Sequence, residues 1–128
     1  MIPVPRKICI KKSPGKGRGV FAIAEIKKGE LIEAAPAVQL TAKQQLLPGW
    51  NELFDWFFWL DNGALVALGY GSLYNHSDIP NAKYVIKLNE KVIQFWAVRD
   101  IQKDEEICTD YRGDSKSNLP LWFDRYGS

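Results

Sequence analysis

Lys7-Ile8-Cys9-Ile10-Lys11 alternates polar and apolar residues with a period of two, the pattern of a strand with one buried face. Ser13-Pro14-Gly15 ends it, and a glycine-rich turn leads to a second strand over Val20-Phe21-Ala22-Ile23-Ala24. Lys27-Lys28-Gly29-Glu30 is the next turn, and Leu31 to Leu40 is extended with an interruption at Pro36. Thr41 reads as the N-cap of a short helix through Leu47, stopped by Pro48-Gly49. The block Leu53-Phe54-Asp55-Trp56-Phe57-Phe58-Trp59-Leu60 has no clean period, and its aromatic density calls for burial or shielding by a partner. Asp61-Asn62-Gly63 turns the chain into a short apolar strand, Ala64 to Leu68. Lys83 to Leu88 and Lys91 to Val98 flank Asn89-Glu90 and form the best hairpin candidate. A polar loop runs from Arg112 to Asn118, and Leu119 to Tyr126 suits a final helical turn. Many short strands with little helix predict a β-rich α+β domain.

Length and composition narrow the classes. A chain of 128 residues makes one domain with one core. The formal net charge of +2, spread along the chain, argues against direct nucleic-acid binding. One histidine and two separate cysteines, Cys9 and Cys108, lack the spacing of a structural zinc site, so no metal is expected. No apolar run is long enough to span a bilayer, and no signal-peptide core opens the chain. The expectation is a soluble intracellular protein, cytoplasmic, or nuclear in a eukaryotic setting. The surplus of Trp and Phe in so small a domain points to a homodimer interface or a docking surface.

Three segments stand out for chemistry. Gly15-Lys16-Gly17-Arg18-Gly19 is neither a dinucleotide fingerprint nor a P-loop, and by itself reads as a hairpin turn needing positive φ. Asn75-His76-Ser77-Asp78-Ile79-Pro80-Asn81 holds the only histidine, in a turn-prone setting. His76 by itself reads as a buried structural residue, and no serine elbow accompanies it. Glu105-Glu106-Ile107-Cys108-Thr109-Asp110-Tyr111 is a charged turn entering a strand that ends on tyrosine, whose plain reading is a half-buried ring with a wet hydroxyl.

Taken in order, these three segments resemble the SET-domain methyltransferases over about residues 7 to 113, closest to the minimal SET proteins of bacteria and large DNA viruses. The resemblance implies a fold of several short curved sheets with a threaded C-terminal segment, a pseudoknot, and a lid-like tail over about residues 114 to 128. It implies S-adenosylmethionine as cofactor and a protein lysine, in a histone or another lysine-rich protein, as methyl acceptor. Cofactor contacts fall on Lys16, Gly17, Arg18, Asn75, His76, Tyr111 and Trp122. Tyr111 takes the catalytic position, and Trp56, Tyr70 and Tyr74 are the substrate-channel candidates, Trp56 standing roughly where relatives place a second channel tyrosine. The same resemblance also accommodates a SET-like module that binds a partner peptide with little turnover. The implied reaction needs a neutral amine. A free lysine has a pKa of about 10.4. A cation about 5 Å away, at an effective dielectric of about 20, disfavours the ammonium by roughly 3 kcal/mol. That is about two pKa units. Desolvation in an aromatic channel supplies much of the rest, with no dedicated base.

Overall fold

The computed structural model describes residues 2–41, 58–60 and 63–111. The first alternating segment folds as β1 (Ile8–Ser13), antiparallel to β2 (Gly17–Ala22), with Ile8 opposite Ala22 and Ser13 opposite Gly17. Gly15 and Gly17 take φ of +75° and +77°, as the tight turn requires. The second strand therefore begins inside the glycine turn and ends at Ala22, earlier than the apolar run suggests; Ile23 lies beyond it and is exposed.

The long extended segment forms β3 (Leu31–Thr41), which runs through Pro36 without a break. The following strands are β4 (Phe58–Leu60), β5 (Gly63–Ala67), β6 (Asn75–His76), β7 (Ala82–Lys87), β8 (Val92–Ala97) and β9 (Glu106–Thr109). Pro36 is tolerated for a topological reason. β3 pairs with β8 from Leu31 to Pro36 and with β5 from Ala37 to Thr41. The proline thus sits at the exchange of partners, where a missing N–H breaks no ladder. Its carbonyl is used, accepting the Leu68 N–H at 2.8 Å. The real irregularity of β3 lies between Leu31 and Glu33.

Two sheets result, of order β1-β2-β9-β6 and β4-β5-β3-β8-β7. They share one core that includes Val20, Ile26, Leu65, Ile93, Phe95, Ile101 and Ile107, all fully buried. The β7–β8 hairpin forms as predicted, but not through a two-residue turn. Asn89-Glu90 offers no glycine for the primed turns that demand positive φ. Leu88–Glu90 makes a single 3-10 turn instead, and Lys91 takes the left-handed conformation at φ 53°.

Among the described residues no helix is long and apolar enough to cross a membrane. The helix expected from Thr41 to Leu47, the block around Trp56, and the tail with Trp122 lie outside the described residues, except that Thr41 is the last residue of β3.

Candidate active site

β9 lies between β2 and β6, and its pairing with each is short. Against β2 it pairs only at Val20 with Ile107 and Phe21 with Glu106. Against β6 it runs parallel, Asn75 opposite Cys108 and His76 opposite Thr109. Beyond Val20 the two antiparallel strands part, and the Arg18 carbonyl is taken by a side chain, the Asn75 Nδ2 at 3.0 Å. The same nitrogen donates to Glu106 Oε2 at 2.7 Å, and Ser13 Oγ donates to Glu106 Oε1 at 2.8 Å. Gly19 leaves room for this group. A Cβ there would collide with Glu106 Oε2 and come within 2.8 Å of Asn75 Nδ2.

Asn81 holds β9 from the other side. Only 3% exposed, it donates to the Glu106 carbonyl at 2.8 Å and to Glu105 Oε2 at 3.0 Å. It also accepts the Cys108 N–H at 2.9 Å. These bonds make the last asparagine of the histidine segment a clamp on the strand that leads to Tyr111.

His76 is oriented by its neighbours. Its Nδ1 accepts the Tyr111 N–H at 3.1 Å, so the neutral ring carries its proton on Nε2, which faces Asp78 Oδ1 at 2.9 Å. The Asp110 carboxylate stands 3.8 Å from Nδ1. Tyr111 is held at three points. Its N–H meets His76, its carbonyl accepts the Tyr84 hydroxyl at 3.0 Å, and its own hydroxyl donates to the Tyr74 carbonyl at 2.9 Å. Burial, with smaller contributions from Cys108 and Glu106, pushes the Tyr111 hydroxyl up to about 12. The group is a neutral hydrogen-bonding residue in the ordinary pH range, not a base. Among the described residues no three His, Cys, Asp or Glu side chains gather as a metal-binding group.

The structure thus brings Gly17, Arg18, Asn75, His76 and Tyr111 to one junction, with Lys16 beside it in the turn that its N–H closes onto the Ser13 carbonyl. Trp56 and Trp122 lie outside the described residues. Tyr74 departs from its expected place in a substrate channel. It is 2% exposed, stacked on Phe95 at 4.2 Å, and its hydroxyl donates to Glu33 Oε1 at 2.7 Å. What it offers the site is its backbone carbonyl. Tyr70 is half-buried against the core, and its N–H donates to Glu33 Oε2 at 3.0 Å. Burial raises the Glu33 carboxyl, and these two donors oppose the rise. Tyr74→Phe should therefore leave Glu33 one donor short and cost about 1–3 kcal/mol. Urea unfolding would check this; an unchanged midpoint would mean the bond contributes nothing.

Sequence reasoning missed Ser13 and Glu106. Glu106 lies in one of the quoted segments, but beside Glu105 it reads as half of a solvated acidic turn. The available signal was alternation: Glu106 opens the strand, whereas Glu105 caps the turn by accepting the Gln102 N–H.

The sequence and fold are similar to those of known proteins. The SET domain family model matches residues 17–112. A curated relative, the "Histone-lysine N-methyltransferase, H3 lysine-37 specific" of Schizosaccharomyces pombe, is 31% identical over 126 residues, covering 96% of this chain and 82% of its own. A crystal structure of a candidate histone methyltransferase from Plasmodium falciparum superposes with a TM-score of 0.71 at 42% identity, covering 84% of this chain and 95% of that one.

Proposed function

The chain belongs to the SET-domain family and transfers a methyl group from S-adenosylmethionine to a protein lysine amine, and on that premise we propose that the β2–β6–β9 junction holds the cofactor, that Tyr111 walls the reacting amine, and that a histone lysine is the acceptor. The observation that carries the site is the parallel pairing of β6 with β9. It joins two segments more than thirty residues apart and ties the Tyr111 N–H to His76 Nδ1 beside the glycine turn.

The residues present fit the cofactor's chemistry. Gly19 lets the Asn75–Glu106 pair approach, since a Cβ would strike both, and both hydrogens of Asn75 Nδ2 are spent within the protein, leaving the amide oxygen as an acceptor. Glu106 adds a carboxylate next to a site that receives a cation. When bound, S-adenosylmethionine supplies an activated methyl on a sulfonium. The backbone of Lys16, Gly17 and Arg18 binds its amino-acid end together with Asn75, and β6 presents the backbone of Asn75 and His76. Tyr111 does the positioning. Its hydroxyl hydrogen is committed to the Tyr74 carbonyl, so the oxygen is left to accept an N–H from the substrate amine and aim its lone pair. Burial of the amine beside this aromatic wall favours the uncharged form that attack requires.

The histone proposal rests on the named activity of the Schizosaccharomyces pombe relative. Core histones incubated with the protein and isotopically labelled cofactor should gain label on lysine side-chain nitrogens, read by mass spectrometry. Label confined to other proteins of a lysate would displace the histone proposal. Absence of lysine label anywhere would displace the site as well.

A further inference from the structure

We propose that Glu106 is a positioning residue that fixes which end of the Asn75 amide is offered to the cofactor's amino-acid group; this rests on reading the β2–β6–β9 junction as the cofactor site. A carboxylate is acceptor-only. Glu106 Oε2 and the Arg18 carbonyl both lie within hydrogen-bond distance of Asn75 Nδ2, at 2.7 Å and 3.0 Å. Were the amide turned over, its oxygen would face two other oxygens and lose both bonds. Only one orientation survives, with Nδ2 toward the protein and Oδ1 toward an ammonium donor.

Three features make this a device and not a chance contact. The Glu106 carboxylate is itself anchored, since Ser13 Oγ holds Oε1 at 2.8 Å. Ser13 is buried at the end of β1, so the anchor is rigid. Gly19 has an ordinary negative φ, so backbone strain does not explain the glycine. Space does, because a Cβ would intrude on both Glu106 and Asn75. The short Nδ2–carboxylate bond is also charge-assisted, the stronger kind. Glu106 therefore acts through Asn75.

Glu106→Gln tests this, since glutamine keeps the shape but can donate to Asn75 Oδ1, leaving only the Arg18 carbonyl to oppose the flipped amide. In the ligand-free protein, the 15N-resolved side-chain amide signals of Asn75 should move. By calorimetry, affinity for S-adenosylhomocysteine should fall on the order of tenfold. Affinity for 5′-methylthioadenosine, which lacks the amino-acid end, should stay unchanged. The Asn75→Ala/Glu106→Gln double variant should bind no more weakly than Asn75→Ala alone. Ser13→Ala should reproduce the ligand-selective loss in smaller measure, and it carries the test if Glu106→Gln does not fold. Unchanged homocysteine-ligand affinity in Glu106→Gln, equal losses for both ligands, or additive effects would overturn the role of Glu106. If Asn75→Ala itself binds as wild type, the cofactor-site reading fails instead.

Discussion

Tyr111→Phe is expected to lower turnover by on the order of tenfold to a hundredfold while leaving cofactor affinity nearly unchanged. The substitution keeps the ring against His76, at 5.2 Å between centroids, and keeps the backbone bonds to His76 and Tyr84. It removes the hydroxyl, and with it the acceptor that aligns the amine. The wild-type rate should rise with pH above neutrality as the substrate lysine loses its proton. Tyr111 cannot be the source of that rise, because its own hydroxyl titrates only near 12. The phenylalanine variant should therefore show the same upward slope at lower amplitude. Linkage sets the usable window. A tyrosine raised from 10.0 to about 12 on folding contributes stability that is intact below pH 10 and is lost as pH climbs toward 12. Rates measured from about pH 7 to 9.5 lie below the onset of that loss. A folded variant with wild-type turnover would remove Tyr111 from the chemistry.

The second large effect falls on the clamp. Asn81→Ala should destabilise the fold by about 3 kcal/mol, because it leaves the buried Cys108 N–H without its acceptor and the Glu106 carbonyl without its donor. For a domain of this size that is a drop in Tm of about 10 °C. Asn81→Asp is no remedy. It can still accept from Cys108, but it sets a carboxylate against Glu105 Oε2 and the Glu106 carbonyl, where the amide nitrogen now donates. Scanning calorimetry reads the change, and amide exchange at Cys108 localises it. An unchanged Tm, or exchange at Cys108 as slow as in the parent, would show that β9 is held by pairing alone.

The parts of this fold legible in the sequence are those with local causes. Alternation announced β1, the two segments flanking Asn89-Glu90 announced the β7–β8 hairpin, and Gly15 and Gly17 marked a turn that does need positive φ. The resemblance carried by three short segments led to the family and to the junction where Asn75, His76 and Tyr111 meet. What stayed hidden depends on partners distant in sequence. Pro36 reads as a breaker unless one knows that β3 changes neighbours there. Tyr74 reads as a channel hydroxyl unless one sees Glu33, 41 residues earlier, waiting for it in the core. Glu106 reads as solvated because its partners are Ser13, 93 positions away, and Asn75, 31 away. Each miss turns on a partner that only the tertiary fold supplies.

Amide chemical shifts on cofactor addition test the central claim most directly, in a protein small enough for complete backbone assignment. Titrating S-adenosylmethionine into the 15N-labelled chain, with a chelator present, should move the amides of Gly17 to Gly19, Asn75 to Ser77 and Tyr111 together, with one shared binding constant. The groove of about 240 Å³ bordered by Pro3 to Lys7 and Glu30 to Ala34 should stay silent. Shifts concentrated at that groove, or binding that vanishes with the chelator, would contradict a metal-independent cofactor site at the β2–β6–β9 junction.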